Sequence, residues 1–518
     1  MLQKRNTSFE VFFFKIINRN IEKVNKQWYN MKKQNGEKMK KINGIIMQYF
    51  EWYMECEQNL WNNIKEQAEK LSKLGITAIW LPPAYKGIGG ANEVGYGAYD
   101  LYDLGEFDQK GSIKTKYGSK DEYLECIEVL KQNDIESYAD IVLNHKMGAD
   151  KLQTIPATKV DWGNHNLQIS NQETVRVATK FTFPGRKHKY SEFEWNWTHF
   201  DGIDYDENSK EHAIFKFKDK NWNNAVDEEF GNYDYLMGAD IDFTNQEVVE
   251  ECTKWGKWYI DITQMDGLRL DAVKHIPADF YKKWIKDLRE QTKKELFTVG
   301  EYWTGDVQKL HRYITETEGE ISLFDVPLHY KLSSASKEEN YDLSQLLNNT
   351  LVKENSSKAV TFVDNHDTQP GQALESFVER WFKPAAYSLI LLRDEGYPCV
   401  FYGDYYGIPH DDIKPIEELK ILINLRKEKA YGEQHDYFDH PNYIGWTREG
   451  DEEHIKSGLA VVISNTGDGE KRMYIGTQFA GSKFIDSLEN CEETIEIDDY
   501  GFGNFKVKGK SVSVWVKI

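Results

Sequence analysis

The feature that most constrains this chain is a rhythm. Between Ile42 and about Ala430, short apolar and β-branched runs alternate with segments of helical spacing. Ile42–Trp52 is the first such run. Asn62–Leu74 follows, with Ile64, Ala68, Leu71 and Leu74 on one face and Gly75 where a helix would stop. Thr77–Ala84, Ser137–Asn144, Met265–Val273, Leu296–Trp303, Ile321–Pro327, Ala359–Asp364 and Pro398–Tyr402 read as the further strands. Helices are expected between them, among them Lys120–Gln132, Val248–Ile262 and Ala278–Thr292. Strands that alternate with helices imply a parallel sheet, and eight such units imply an α/β fold of the TIM (β/α)8 barrel type.

The rhythm is interrupted once and then ends. From 145 to 245 the text is polar and aromatic, with Gly and Asp turns and short possible strands such as Ala213–Phe217. A hundred residues is too long for a plain loop, so a small β-rich domain inserted after the third strand is expected. After Gly432 the helices stop. Leu459–Ser464, Lys471–Ile475 and Ser511–Ile518 read as strands of a C-terminal β-sandwich over 432–518. The barrel is therefore assigned to 42–144 and 246–431. Residues 1–41 carry 11 Lys/Arg against 3 Asp/Glu and read as a basic, disordered extension, with Met31 or Met39 as natural starts.

Composition removes several function classes. A net charge of −20 repels nucleic-acid phosphates, so no nucleic-acid partner is expected. No apolar run approaches the roughly 20 residues of a membrane span. Val11–Ile17 is too short, Lys15 interrupts it, and no small-residue cleavage site follows. The five cysteines are odd in number, scattered, and form no CxxC. They read as free thiols, which favours a cytoplasmic location over secretion. A monomer is expected.

In a barrel, chemistry sits where strands end. There the sequence places His145; Arg269, Asp271, Lys274 and His275; Glu301; and His366 and Asp367. No GxSxG, P-loop, GxGxxG or HExxH occurs, so serine hydrolysis, nucleotide binding and zinc proteolysis have no carrier. Carboxylates without a redox cofactor suit glycoside hydrolysis. Arg269, two residues before Asp271 and on the same strand face, favours an ionised Asp271. Glu301, among carboxylates and near Trp303, suits the proton donor.

The segments GLRLDAVKH (267–275), VGEYW (299–303), FVDNHDTQPGQ (362–372) and DIVLNH (140–145) resemble those of α-amylases of glycoside hydrolase family thirteen. LPPAYKG (81–87), GYGAYDLYDLGEF (95–107), NYDYLMGADID (232–242), FDVPLHY (324–330) and GWTREGD (445–451) are similar to its liquefying bacterial branch. The resemblance runs from about Gly44 to the C-terminus. It implies endohydrolysis of α-1,4 bonds in starch, glycogen or maltodextrin, with retention. Asp271 would be the nucleophile, Glu301 the acid/base and Asp367 the transition-state stabiliser. Arg269 would hold the nucleophile, His145 and His366 the central sugar. Lys274 and His275 would face the leaving group, Tyr96 would stack on the sugar, and Trp303 would line the cleft. A maltooligosaccharide-forming exo-amylase or a glucanotransferase would keep the same acids. A non-catalytic glucan-binding protein is the remote alternative.

The resemblance also implies a structural Ca²⁺ on Asn144, Asp234, Asp240 and the His275 carbonyl. A second ion would use Asp201 and Asp242, but Asn223 and Thr244 stand where two further acids are expected, so its binding should be weak. A third, between barrel and C-terminal domain, is expected to be absent, because positions 441, 442 and 465 are Pro, Asn and Asn.

Overall fold

Eight short parallel strands close on themselves: β1 (Ile46–Gln48), β2 (Ala78–Leu81), β3 (Glu136–Ile141), β4 (Gly267–Leu270), β5 (Phe297–Gly300), β6 (Ser322–Phe324), β7 (Ala359–Phe362) and β8 (Tyr397–Phe401). They follow one another around the barrel in chain order, and β8 pairs with β1. The structure is a computed structural model describing residues 43–518; the predicted extension 1–41 lies outside the described residues. The expected (β/α)8 architecture is present.

Every strand but β8 is shorter than the apolar run that predicted it. β4 leaves the ladder at Asp271 and β5 at Glu301. The rest of each run bends into the βα turn, which carries the candidate chemistry to the barrel's C-terminal mouth. Helices Lys120–Gln132 and Ala278–Thr292 have the expected bounds; the first opens with a capping box between Ser119 and Glu122. Helix Lys383–Leu392 is buried almost throughout, which its lack of a polar face requires.

The inserted segment builds its own antiparallel sheet. Its strands include Lys151–Asp161 and Glu173–Lys180, longer than the sequence suggested. Ile155, Ala157, Val175 and Val177 are buried, while many of their strand neighbours face solvent. Pro156 and the polar outward positions hid this half-buried pattern. At the barrel side, Asp240 pairs in register with His145. That ladder fixes the insert to the chain just beyond β3.

The C-terminal region forms a six-stranded antiparallel sheet with a separate two-stranded ribbon, Gly469–Tyr474 with Phe502–Val507. Val462, Met473, Phe484, Phe505 and Trp515 fill the core between them. Arg393 on the barrel pairs with Asp436 at 2.7 Å.

Helices Gln246–Thr263 and Ala278–Thr292 flank β4 in sequence and pack closely where Gly256 meets Trp284. A Cβ on Gly256 would lie 2.6 Å from the buried indole. Alanine would gain about 0.5–1 kcal/mol of helix propensity. Overpacking a rigid core costs about 1–3 kcal/mol. Gly256→Ala should therefore lower the thermal midpoint, measured by calorimetry; a rise would show that the indole yields freely.

Candidate active site

One guanidinium organises the barrel mouth. Arg269 lies beside Asp140 in the β3–β4 register, so both side chains point into the barrel. Its Nη1 contacts Asp140 Oδ1 at 2.8 Å and Asp271 Oδ1 at 2.6 Å, and its Nη2 lies 2.7 Å from Glu301 Oε2. Arg269 is 1% exposed. Asp140 Oδ2 accepts from Trp80 Nε1 and from the Tyr96 hydroxyl, each at 2.9 Å. Ala272, the residue after Asp271, has φ +48°. That left-handed turn costs a non-glycine residue free energy. It lets the Ala272 and Val273 N–H groups reach Glu301 Oε2 and the Glu301 carbonyl, at 3.3 and 3.0 Å.

Burial decides the protonation. The Asp271 carboxyl is pushed up to about 6, first by burial, against the pull of Arg269 and with Asp140 adding. Arg269 therefore limits the rise without reversing it. Glu301 is raised by burial, opposed by Arg269 and reinforced by Asp271. The two acids share the guanidinium of Arg269, so the charge on either one bears on the other. Burial, then Glu301, holds Asp367 well above the usual range. Such a group can present one ionised carboxylate beside a protonated one.

Aromatic rings line the same mouth. Tyr96 and His366 are parallel within 8°, with centroids 4.9 Å apart. Trp52 lies parallel to both, at 5.8 and 6.1 Å. Gln48 Nε2 donates to His366 Nδ1 at 2.9 Å, which leaves the proton on Nε2, 3.3 Å from Asp367 Oδ2. His145 Nε2 bonds the Tyr96 carbonyl at 2.8 Å. Lys274 Nζ reaches Glu229 at 2.8 Å and the Trp303 carbonyl at 3.2 Å. His275 donates from Nδ1 to the Tyr233 carbonyl at 2.7 Å; burial, then Lys274, drives its pKa down to about 3, so it is neutral. The structure thus gathers every residue named for catalysis and sugar contact around one mouth. Asp140, Gln48, Trp52 and Glu229 were missed. Asp140 stands in a strand interior and Gln48 in an apolar run, where no local pattern marks them.

A second acidic cluster sits at the join of insert and barrel. Carboxylate oxygens of Asp201, Asp234 and Asp240 lie within 4.8 Å of one another. Both Asp201 oxygens and Asp240 Oδ2 are buried without a hydrogen-bond partner. Burial, then neighbouring carboxylates, raises Asp201 to about 9; burial raises Asp234 to about 7 against its Asn223 hydrogen bonds. Orphaned hard oxygens crowded together fit a divalent cation. Asn144 lies beside this cluster in sequence register, preceding the His145 that pairs with Asp240. The grouping differs from the expected one: Asp201 joins Asp234 and Asp240, whereas Asp242 is paired with Lys220 Nζ. Asn223 donates to both Asp234 oxygens at 3.0 and 3.1 Å.

Comparison with known proteins places this geometry. Residues 61–472 match the family model for the α-amylase catalytic domain, and residues 459–516 match the α-amylase C-terminal model. The chain is 53% identical to an α-amylase of Geobacillus stearothermophilus over 92% of this chain and 87% of that one. It is 49% identical to a glucan 1,4-α-maltohexaosidase of Bacillus sp. strain 707, over 92% of each. It is 46% identical to the cytoplasmic α-amylase of Escherichia coli K12, over 92% of this chain and 99% of that one.

The protonation pattern fixes a sign for pH dependence. Asp271 must be ionised to react, so kcat/KM should fall as pH drops through about 6. The alkaline limb should follow loss of the proton from Glu301. A pH profile on a soluble glucan with its acid limb near the ordinary aspartate value would show that burial does not govern Asp271.

Proposed function

This chain belongs to the α-amylase family and hydrolyses internal bonds of α-glucans, and on that premise we propose how its own residues perform the cleavage. Glu301 gives its proton to the glycosidic oxygen while an Asp271 oxygen attacks the anomeric carbon. The carbon–oxygen bond to the leaving sugar breaks, and a glycosyl ester to Asp271 remains. Water then loses a proton to Glu301 and attacks the same carbon, releasing Asp271 and retaining configuration. The observation that carries this reading is the shared grip of Arg269 on Asp271 and Glu301. Two acids held on one guanidinium suit the short carboxyl separation of a retaining pair rather than the wider one of an inverting pair.

Asp367 steadies the positive charge that develops on the ring and, with His366 and His145, holds its hydroxyls. Tyr96 and Trp52 offer flat faces to pyranose rings. Lys274, Glu229, His275 and Trp303 face the departing sugar. The substrates are starch, glycogen or maltodextrin, acted on in the cytoplasm by a monomer. The free thiols and the resemblance to the E. coli cytoplasmic enzyme support that location.

For the cation, Asp201, Asp234, Asp240, Asn144 and the His275 carbonyl form the holding set for Ca²⁺. When bound, the ion supplies positive charge that ties the insert to the active-site strands. Lys220 already neutralises Asp242, so a single ion is the reading here.

Asp271→Asn and Glu301→Gln should each cut soluble-starch hydrolysis by roughly a thousandfold or more. Activity left intact in either would refute the assignment. Chromatography of early products should show mixed oligomers, whereas one dominant product would indicate exo cleavage. Titrating chelator-stripped protein with Ca²⁺ in a calorimeter should give a stoichiometry near one and raise the thermal midpoint. Two equivalents bound with similar affinity would contradict the role given to Lys220.

A further inference from the structure

The segment that carries Glu229 to the cleft is held in an unusual way. From Asn224 to Gly231, Asp227 is the only buried residue; its neighbours are exposed or partly so. Behind the segment lies a pocket of ≈ 530 Å³ whose lining includes Asp227, Lys274, Tyr302 and Lys309. Phe230 packs on Tyr233 and His165 at the far end, and Asn166 donates to the Gly231 carbonyl there. Toward the cleft the segment is held by polar contacts, most of them made by Asp227.

Asp227 Oδ2 accepts from the Tyr302 hydroxyl at 2.5 Å. Lys309 Nζ donates to Oδ1 and Oδ2 at 2.8 and 2.9 Å. Oδ1 also accepts the Glu229 N–H at 2.8 Å, and the Asp227 N–H donates to the Lys274 carbonyl at 2.9 Å. The side chain is 2% exposed. Burial alone would raise this carboxyl, yet the bonds from Lys309 and Tyr302 outweigh it and hold it below the ordinary range. It is an ionised carboxylate, and apart from Lys309 its partners lie beside residues of the chemistry. Tyr302 follows Glu301 in the chain, Lys274 and Glu229 pair with each other, and Lys309 lies on helix Val307–Glu316 behind them.

We propose that Asp227 is a positioning residue for the leaving-group half of the cleft: it latches the 224–231 segment to Tyr302 and Lys309, so that Glu301 and the Lys274–Glu229 pair are presented together to the departing sugar. This rests on Glu301 being the acid. Its consequence is selective. A substrate whose leaving group is a sugar needs both the proton of Glu301 and the Lys274–Glu229 wall. An aryl maltotrioside with a chloronitrophenol leaving group needs little of either, because the phenolate departs without protonation. Misplacement by a fraction of an ångström is enough to matter for the first.

The test compares the full chain with Asp227→Asn, which keeps shape and removes charge, and with Lys309→Met, which cuts the latch from the other side. For both variants, kcat/KM on maltoheptaose should fall by about tenfold or more. The kcat/KM for release of chloronitrophenol, which reports the first, bond-breaking step and not the later attack of water, should stay within about twofold of the parent. Products from maltoheptaose should shift away from cleavages that place several sugars on the leaving side. Equal losses on both substrates would overturn the proposal and leave Asp227 a fold-holding residue. No loss on either would also overturn it. Glu301→Gln runs alongside: if that variant still cleaves maltoheptaose, the assignment of the acid has failed, which neither latch variant can mimic.

Discussion

The structure depends on one buried cation. Arg269 has no route to water, and isolating a guanidinium in a barrel core costs several kcal/mol. Asp140, Asp271 and Glu301 offset that cost. Three carboxyls against one cation leave an excess of negative charge in a dry place. Such an excess is relieved by keeping a proton on one of them. Glu301 is the candidate, because Asp271 and Asp140 share Nη1 while burial and the neighbouring Asp271 charge raise Glu301. The acid of the reaction is thus a consequence of how the barrel balances its own core.

The same imbalance recurs at the insert and is met differently. Asp201, Asp234, Asp240 and Asp242 converge, and within the chain Lys220 and the amide of Asn223 answer them. Lys220 takes Asp242, Asn223 takes Asp234, and the oxygens of Asp201 and one of Asp240 stay unmet. At the barrel mouth a proton balances the excess, because water and substrate must enter there. At the insert, no chemistry requires a proton, and a cation can fill the gap while joining two parts of the fold.

Much of this was legible in the sequence. The eight barrel strands were visible because strands buried on both faces are continuous apolar runs, and helices between them carry 3.6-residue spacing. Asp271, Glu301 and Asp367 stood out because they lie near or just beyond the ends of such runs. The long strands of the insert were not, because a sheet with one wet face, an internal Pro156 and turns of mixed length shows no clean alternation. Asp140 and Gln48 were hidden for the opposite reason: a polar residue inside an apolar strand gives no sign of whether its partner is an arginine, a tyrosine or a histidine across the barrel. Asp227 is followed by two further acids, so nothing in the sequence sets it apart, and its partners Tyr302 and Lys309 lie 75 and 82 residues away.

Ala272 shows how local strain and long-range charge meet. Its left-handed φ is unfavourable for any side chain, and nothing in the sequence DAVKH requires it. It persists because the turn it makes sends two successive N–H groups onto Glu301, one to the carboxyl and one to the carbonyl. Those groups hold the acid from the β4 side, Arg269 holds it from within the barrel, and Tyr302 ties the next residue outward to Asp227. Glycine at 272 would relieve the strain. It would also free the turn to abandon Glu301, since the flexibility gained is greatest where the acid needs a fixed neighbour. The strained alanine is therefore best understood as part of the acid's support, placed one residue after the nucleophile so that a single turn orients both.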